Sequence, residues 1–115
     1  MPRIPSLAAA LLALAALAGG CADTREPIVI SEGTLHVENQ TEREWRNVMV
    51  TVNDHFRGGT PRLGAGGRLT APLSQFQTAY GQRFSLDRQS VFKIEVTATD
   101  SNGEPVRLQW GESRR

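Results

Sequence analysis

Residues 92–110 read Phe-Lys-Ile-Glu-Val-Thr-Ala-Thr-Asp-Ser-Asn-Gly-Glu-Pro-Val-Arg-Leu-Gln-Trp, and this stretch decides the fold. Apolar side chains occupy alternate positions in both halves: Phe92, Ile94, Val96 and Ala98, then Val106, Leu108 and Trp110. Alternation of this kind is typical of strands that bury one face. The two halves are joined by a turn sequence that contains Asn102-Gly103, a strong hairpin signal. The stretch therefore predicts two antiparallel strands that share one buried face.

Upstream, the same alternation recurs in residues 28–30, 34–38 and 45–52. In the third run Val48, Val50 and Val52 are in phase with one another, whereas Trp45 is not. A β-bulge near Arg46-Asn47 would let all four side chains point inward. Asn53-Asp54 and Gly58-Gly59 are turn signals, and they predict that the next stretch is a connection.

The middle of the chain has a weaker pattern. Residues 63–67 are too rich in glycine for a helix and predict a loop, and residues 68–72 predict an edge strand that ends at Pro72. Residues 74–80 form either one helical turn or a wide crossover loop, and residues 83–86 form a short strand at most. The turn signals recur about every 8 to 12 residues, which predicts an all-β sandwich of about seven strands over residues 28–111. Residues 112–115 are a polar tail.

The first 20 residues predict an export signal. Arg3 is the only charged residue before Asp23, and residues 7–18 are apolar throughout. This run is shorter than the roughly 20 residues that a membrane-spanning helix needs. A short apolar run that ends in small residues is typical of a cleavable signal-peptide helix, so no transmembrane span is expected in the mature protein.

The end of this signal, Leu17-Ala18-Gly19-Gly20-Cys21, resembles the lipobox of bacterial lipoproteins, and Cys21 is the only cysteine. The resemblance implies that Cys21 receives acyl chains such as palmitate and becomes the first mature residue. Two or more acyl chains give stable anchoring to a membrane. Residues 21–27 would then form the lipidated N-terminus and the tether to the domain. In such lipoproteins an Asp directly after the acylated cysteine favours retention in the inner membrane, but here Ala22 follows Cys21. The resemblance therefore implies a location at the periplasmic face of the outer membrane.

Composition excludes several function classes. Without Arg3 the chain has as many basic as acidic residues, and they form no block of one sign. A nucleic-acid partner is therefore not expected, because it requires a concentrated basic surface. Once Cys21 is acylated, no thiol remains for a disulfide, a metal site or a nucleophile.

No catalytic or metal-binding motif is present. His36 and His55 are the only histidines, and their spacing matches no zinc motif. Asp54-His55 beside a serine would imitate a catalytic triad by chance, and the chain has no Gly-x-Ser-x-Gly sequence. Only a pocket that holds Asp54, His55 and a serine together would favour an enzyme. The glycines of residues 64–67 precede a strand-like segment rather than the helix that a phosphate loop requires. We therefore expect a protein without catalytic residues, metal or cofactor.

A further resemblance covers most of residues 34–99. It is carried by Leu35-x-Val37-x-Asn39-x-Thr41, by Trp45-x-Asn47-Val48-x-Val50-x-Val52-Asn53, and by Leu63-x-Ala65-Gly66, Phe76 and Gly81-x-Arg83-Phe84. These residues resemble small fibronectin-III-like or FxLYD-like domains of bacterial lipoproteins. The resemblance implies a single antiparallel sandwich of the immunoglobulin or fibronectin-III type.

Arginine and aromatic residues cluster in the predicted loops. The candidate interaction surface comprises His55, Phe56, Arg57, Arg62, Tyr80 and Arg83. Arg and Tyr are enriched at binding hot spots; alternatively, Phe56 and Tyr80 cap the core and the arginines are only solvated.

The favoured hypothesis is a non-catalytic module that interacts with an envelope protein or has a structural role. The alternative is a small-ligand or glycan-binding accessory lipoprotein. It needs an exposed aromatic platform from Tyr80, Phe56 or Trp110, so the exposure of these side chains distinguishes the two hypotheses.

Overall fold

A computed structural model describes residues 25–111, which form seven β-strands and one short 3₁₀ helix, Leu73–Gln75. The strands are β1 Ile28–Ser31, β2 Thr34–Glu38, β3 Trp45–Val52, β4 Phe56–Leu63, β5 Arg68–Pro72, β6 Lys93–Asp100 and β7 Pro105–Gly111. The predicted signal-peptide helix, Cys21 and the polar tail lie outside the described residues. Within residues 25–111 no helix is both long enough and apolar enough to span a membrane.

The strands form two antiparallel sheets that enclose one core. The smaller sheet has the order β1-β2-β5, and the larger has the order β4-β3-β6-β7. β6 and β7 form the hairpin expected from residues 92–110, with Ile94 opposite Trp110 and Thr99 opposite Pro105. The prediction of an all-β sandwich of about seven strands is confirmed.

A bulge in β3 brings its apolar residues into one phase. The register between β3 and β6 shifts between Arg46 and Met49, and Asn47 has a positive φ of 53°. Trp45, Val48 and Val50 are consequently all buried. The bulge expected near Arg46-Asn47 is therefore present.

Strand β4 is where the sequence-based interpretation was wrong, because Gly58-Gly59 lies within a strand rather than in a connection. Both glycines have a packing reason. A Cβ on Gly58 would lie 2.9 Å from the ring of Phe76, and a Cβ on Gly59 would overlap the backbone carbonyl of Val48. Glycine in a strand often marks such close approaches.

The predicted end of β5 at Pro72 is correct, and β5 is an edge strand of its sheet. The residues predicted as a short strand at 83–86 form only a single bridge, from Arg83 to Gln77.

Two buried asparagine side chains hold the irregular segments against the strands. The Asn39 side-chain amide donates to the carbonyls of Arg43, Leu63 and Gly64 at 2.8, 3.0 and 3.1 Å. Its carbonyl oxygen accepts from the backbone and the hydroxyl of Thr41 at 3.0 and 2.6 Å. The Asn39 side chain thus joins the end of β2 to the end of β4.

Asn53 has the equivalent role at the other end of the sandwich. Its side-chain amide donates to the Ser90 carbonyl at 2.9 Å. Its oxygen accepts from the backbone N–H groups of Phe92 and Lys93 at 2.8 and 3.2 Å. The long segment between the 3₁₀ helix and β6 is therefore fastened to the β3–β4 turn.

The strands run lengthwise between two ends of the molecule. We call the end at which the described chain begins the entry end; Glu38 and Arg68 lie opposite each other there, and Trp45 lies opposite Leu63 and Asp100. The other end, where Val52 lies opposite Phe56 and Ile94, is the far end. β4 has eight residues, so the two ends are separated by roughly 25 Å at about 3.3 Å per residue.

Replacing Val50 with Asp should unfold the domain, whereas the same change at the neighbouring Met49 should not. Val50 is fully buried and Met49 is 45% exposed on the opposite face of β3. An unpaired buried carboxylate costs several kcal/mol, so we expect Val50→Asp to lower the free energy of unfolding by at least about 3 kcal/mol. Urea denaturation of both variants measures this, and equal effects would contradict the assigned faces.

Replacing Asn39 with Ala should destabilise the protein by about 3 kcal/mol, because buried carbonyls and the Thr41 N–H would lose their partner. Gln109→Ala is the matched control, since it removes a similar amide from an exposed position on β7. Thermal unfolding of the two variants measures the difference. A loss for Asn39→Ala no larger than for the control would show that its hydrogen bonds contribute little.

Candidate functional site

Residues 76–84 form a small hairpin that packs against the edge of β4 at the far end. Arg57 and Gln77 exchange both backbone hydrogen bonds, at 2.8 and 3.2 Å. Within the hairpin Phe84 N–H donates to the Phe76 carbonyl, and Thr78 N–H donates to the Gln82 carbonyl, both at 2.9 Å. The hairpin thus extends the larger sheet locally beyond β4.

The side chains of this extension alternate between two faces. Phe56, Phe76 and Phe84 are buried, and the rings of Phe56 and Phe84 meet edge to face with centroids 5.2 Å apart. The residues next to these phenylalanines in the chain, Arg57, Gln77 and Arg83, are exposed. The three phenylalanines thereby fix an outward row of two arginines with a glutamine between them.

The tip of the hairpin presents Tyr80, whose side chain is 98% exposed. The Thr78 hydroxyl accepts from the N–H groups of Tyr80 and Gln82 at 3.3 and 3.2 Å. Gly81 has a φ of +85°, which an L side chain rarely adopts, and its N–H donates to the Thr78 carbonyl at 3.0 Å. The tyrosine therefore stands on a hydrogen-bonded turn.

A shallow groove of about 500 Å³ lies between this hairpin and the β3–β4 turn. Its lining residues are Asp54, His55, Arg57, Gln77, Thr78, Ala79, Tyr80 and Gln82. We call this groove, together with Arg83, the far-end site. Most of its side chains can donate hydrogen bonds, and Tyr80 adds a phenol ring.

Charge at the far-end site is unbalanced. Its carboxylate, that of Asp54, lies 2.9 Å from the ammonium of Lys93. Across residues 25–111, four arginines have a carboxylate within 4 Å: Arg25, Arg43, Arg46 and Arg107. Arg57 and Arg83 have no such partner within that part of the chain. The site therefore presents two guanidinium groups to solvent.

The structure brings most of the predicted interaction residues together. His55, Arg57 and Tyr80 line the groove, and Arg83 lies beside it, opposite Gln77. The other two lie elsewhere. Phe56 is buried beneath the groove, and Arg62 lies toward the entry end of β4, opposite Arg46. Of the candidate platform aromatics, Trp110 is half-buried against the core, so only Tyr80 is freely exposed.

Gln77 belongs to the site but was not expected from the sequence. The signal was present in the flanks of the hairpin, Phe76-Gln77 and Arg83-Phe84, where an apolar residue stands beside a polar one. Two such pairs on either side of a glycine-containing turn are typical of a hairpin with one buried face. The run between them is too short to reveal this alternation on its own.

At the entry end, the beginning of the described chain is attached to β2. The Arg25 guanidinium binds the Glu38 carboxylate through two hydrogen bonds of 3.1 and 2.9 Å. Gln40 donates to the Arg25 carbonyl at 3.0 Å. The Gln40 amide, with the Arg25 guanidinium, holds the pKa of Glu38 below its ordinary value. Residues 25–27, assigned to the tether, thus contact the domain.

The two histidines lie in separate places. His36 contacts the Thr70 hydroxyl at 3.3 Å on the smaller sheet, whereas His55 lies in the groove. Within residues 25–111 no three His, Cys, Asp or Glu side chains are close enough together to hold a metal ion. The Thr78 hydroxyl of the groove is engaged in its own turn. The groove provides hydrogen-bond donors and an aromatic surface.

Comparison of the chain with protein-family models, curated proteins and solved structures found no match. The function of the far-end site is therefore inferred from its own residues.

Proposed function

We propose that this protein is a lipid-anchored envelope lipoprotein of the outer membrane, whose sandwich domain is a non-catalytic interaction module facing the periplasm. One observation carries the proposal: the exposed Tyr80 and the donor-lined groove lie at the end of the sandwich opposite to the entry end, where the described chain begins. Relationship to fibronectin-III-like or FxLYD-like lipoprotein domains is part of the proposal, and the order of seven strands in two sheets supports it.

The anchor would hold the entry end close to the bilayer. Cys21 precedes Arg25 by four residues, a length of chain that spans at most about 14 Å. Because Arg25 is bound to Glu38, the point of attachment on the domain is defined. The far-end site then lies a further strand length, roughly 25 Å, from the entry end. A partner is met in the periplasm and not at the lipid surface.

The far-end site has the features of a protein-binding surface. Tyr and Arg are enriched among the residues that dominate binding energy at such surfaces, and both are exposed here. The hairpin is already ordered by its backbone hydrogen bonds and by Thr78, so binding does not have to order it. Preorganisation of this kind increases affinity by lowering the entropic cost of association.

A glycan ligand is the second candidate, and the exposure of Tyr80 is the observation that favours it. Phe56 is buried and Trp110 is half-buried, so neither adds to an aromatic platform. A single tyrosine on a turn suits a protein partner better than a sugar chain, which stacks on a broader surface. We therefore favour the protein partner.

Cys21→Ser should abolish acylation, because a hydroxyl replaces the thiol that would receive the diacylglyceryl group. Metabolic labelling with an alkyne analogue of palmitate, followed by membrane fractionation, measures this. Ala22→Ser is the control and should be labelled normally. Normal labelling of Cys21→Ser would refute the lipoprotein assignment.

A photocrosslinking residue at position 80 of the full-length anchored protein should give discrete protein adducts in its own cells. The same residue at Ala65, an exposed position in a loop of the entry end, is the control and should give none of these adducts. Adducts that are identical from both positions, or absent from position 80, would count against the far-end site as the interaction surface.

A further inference from the structure

We propose that the far-end site binds an acidic protein segment, whose carboxylates are held by Arg57 and Arg83 across Gln77. This inference rests on the proposed function and names the chemistry of the partner. The three residues lie side by side on three adjacent stretches of extended backbone, as the two bridges Arg57–Gln77 and Gln77–Arg83 establish.

The spacing of the row follows from its hydrogen bonds. Arg57 and Gln77 exchange both backbone bonds, which places their Cα atoms about 5.5 Å apart. Gln77 and Arg83 face each other without a backbone hydrogen bond between them, because the hairpin's bonds lie on either side of this pair. In a pair of this kind the Cα atoms lie about 4.5 Å apart. The two arginines are therefore about 10 Å apart at their Cα atoms and point to the same face.

The row has no internal counter-charge among the described residues. Along the larger sheet it continues through Thr51, opposite Arg57, to Glu95, opposite Thr51. The Glu95 carboxylate is bound by Arg107, and the Asp54 carboxylate beside the row is bound by Lys93. Both of these acidic groups are therefore already engaged, and no carboxylate of the described residues lies within 4 Å of either guanidinium, so both remain available for an external anion.

Carboxylates of an extended protein segment fit this row. Side chains of alternate residues in such a segment point the same way and repeat about every 6.8 Å, a distance that two long arginine side chains can match by converging. A guanidinium binds a carboxylate with two parallel hydrogen bonds, and the amide of Gln77 can donate between them. Tyr80 beside the row provides the aromatic contact that protein interfaces favour over charge alone.

The experiment uses the full-length chain in detergent and a synthetic peptide in which Glu alternates with Thr. Titration is followed by NMR through the amide signals of Gln77 and Gly81. We expect binding that weakens as salt concentration rises and is about tenfold weaker for each of Arg57→Gln and Arg83→Gln, since each removes one charge-assisted contact. Arg62→Gln, on the same strand toward the entry end, should bind as the unmodified protein does.

Three outcomes would overturn the inference: equal binding of a peptide with Gln in place of Glu, an equal loss for Arg62→Gln, or a preference for polygalacturonate, an anionic glycan, over the peptide. The crosslinking experiment separates this failure from that of the proposed function. Adducts at position 80 that persist undiminished in the Arg57→Gln/Arg83→Gln double variant would leave the interaction module standing without an acidic partner. Absence of all adducts would contradict both the proposed interaction module and its acidic partner.

Discussion

The burial of Phe56, Phe76 and Phe84 is the constraint on which the far end of the molecule depends. The hairpin formed by residues 76–84 is joined to β4 by a single pair of backbone hydrogen bonds, each contributing about 1 kcal/mol. A buried phenylalanine contributes about 1.5–3 kcal/mol, so the three rings outweigh those bonds. Since neighbouring residues in extended backbone point to opposite faces, burying the rings also forces the polar residues beside them into one exposed row. Packing inside the core thereby creates the exposed row of the far-end site.

Regular alternation accounts for the parts of the fold that the sequence predicted. The β6–β7 hairpin and the phase of β3 follow from local patterns, and even the bulge near Asn47 was required by the position of Trp45. β4 could not be found in this way. Its glycines and Pro61 interrupt the pattern, and the reason for Gly58 is the ring of Phe76, a residue 18 positions further along the chain. A contact between residues so far apart in the sequence cannot be predicted from the pattern of neighbouring residues.

The candidate site was predictable in composition but not in assembly. Exposed arginine and tyrosine in loops indicated a surface, and His55, Arg57, Tyr80 and Arg83 do meet at one end. Pairing between β3 and β4 separates Arg62 from them, and only pairing between the hairpin and β4 brings Gln77 between the two arginines. Asn39 and Asn53 were also recognisable only as turn residues. In the structure both are buried, and their side-chain amides hold loops to strands.

The attachment of Arg25 to β2 has a mechanical consequence. A partner held at the far end and a lipid anchor at the entry end would pull on the domain along its strands. Tension on β1 would then slide it lengthwise past β2, and all four of its residue pairs would be loaded together instead of opening one after another. The Arg25–Glu38 pair lies ahead of these bonds and would take the load first. In this geometry the small sheet would resist detachment in shear, so a domain anchored and bound as proposed would be suited to transmit force along its strands.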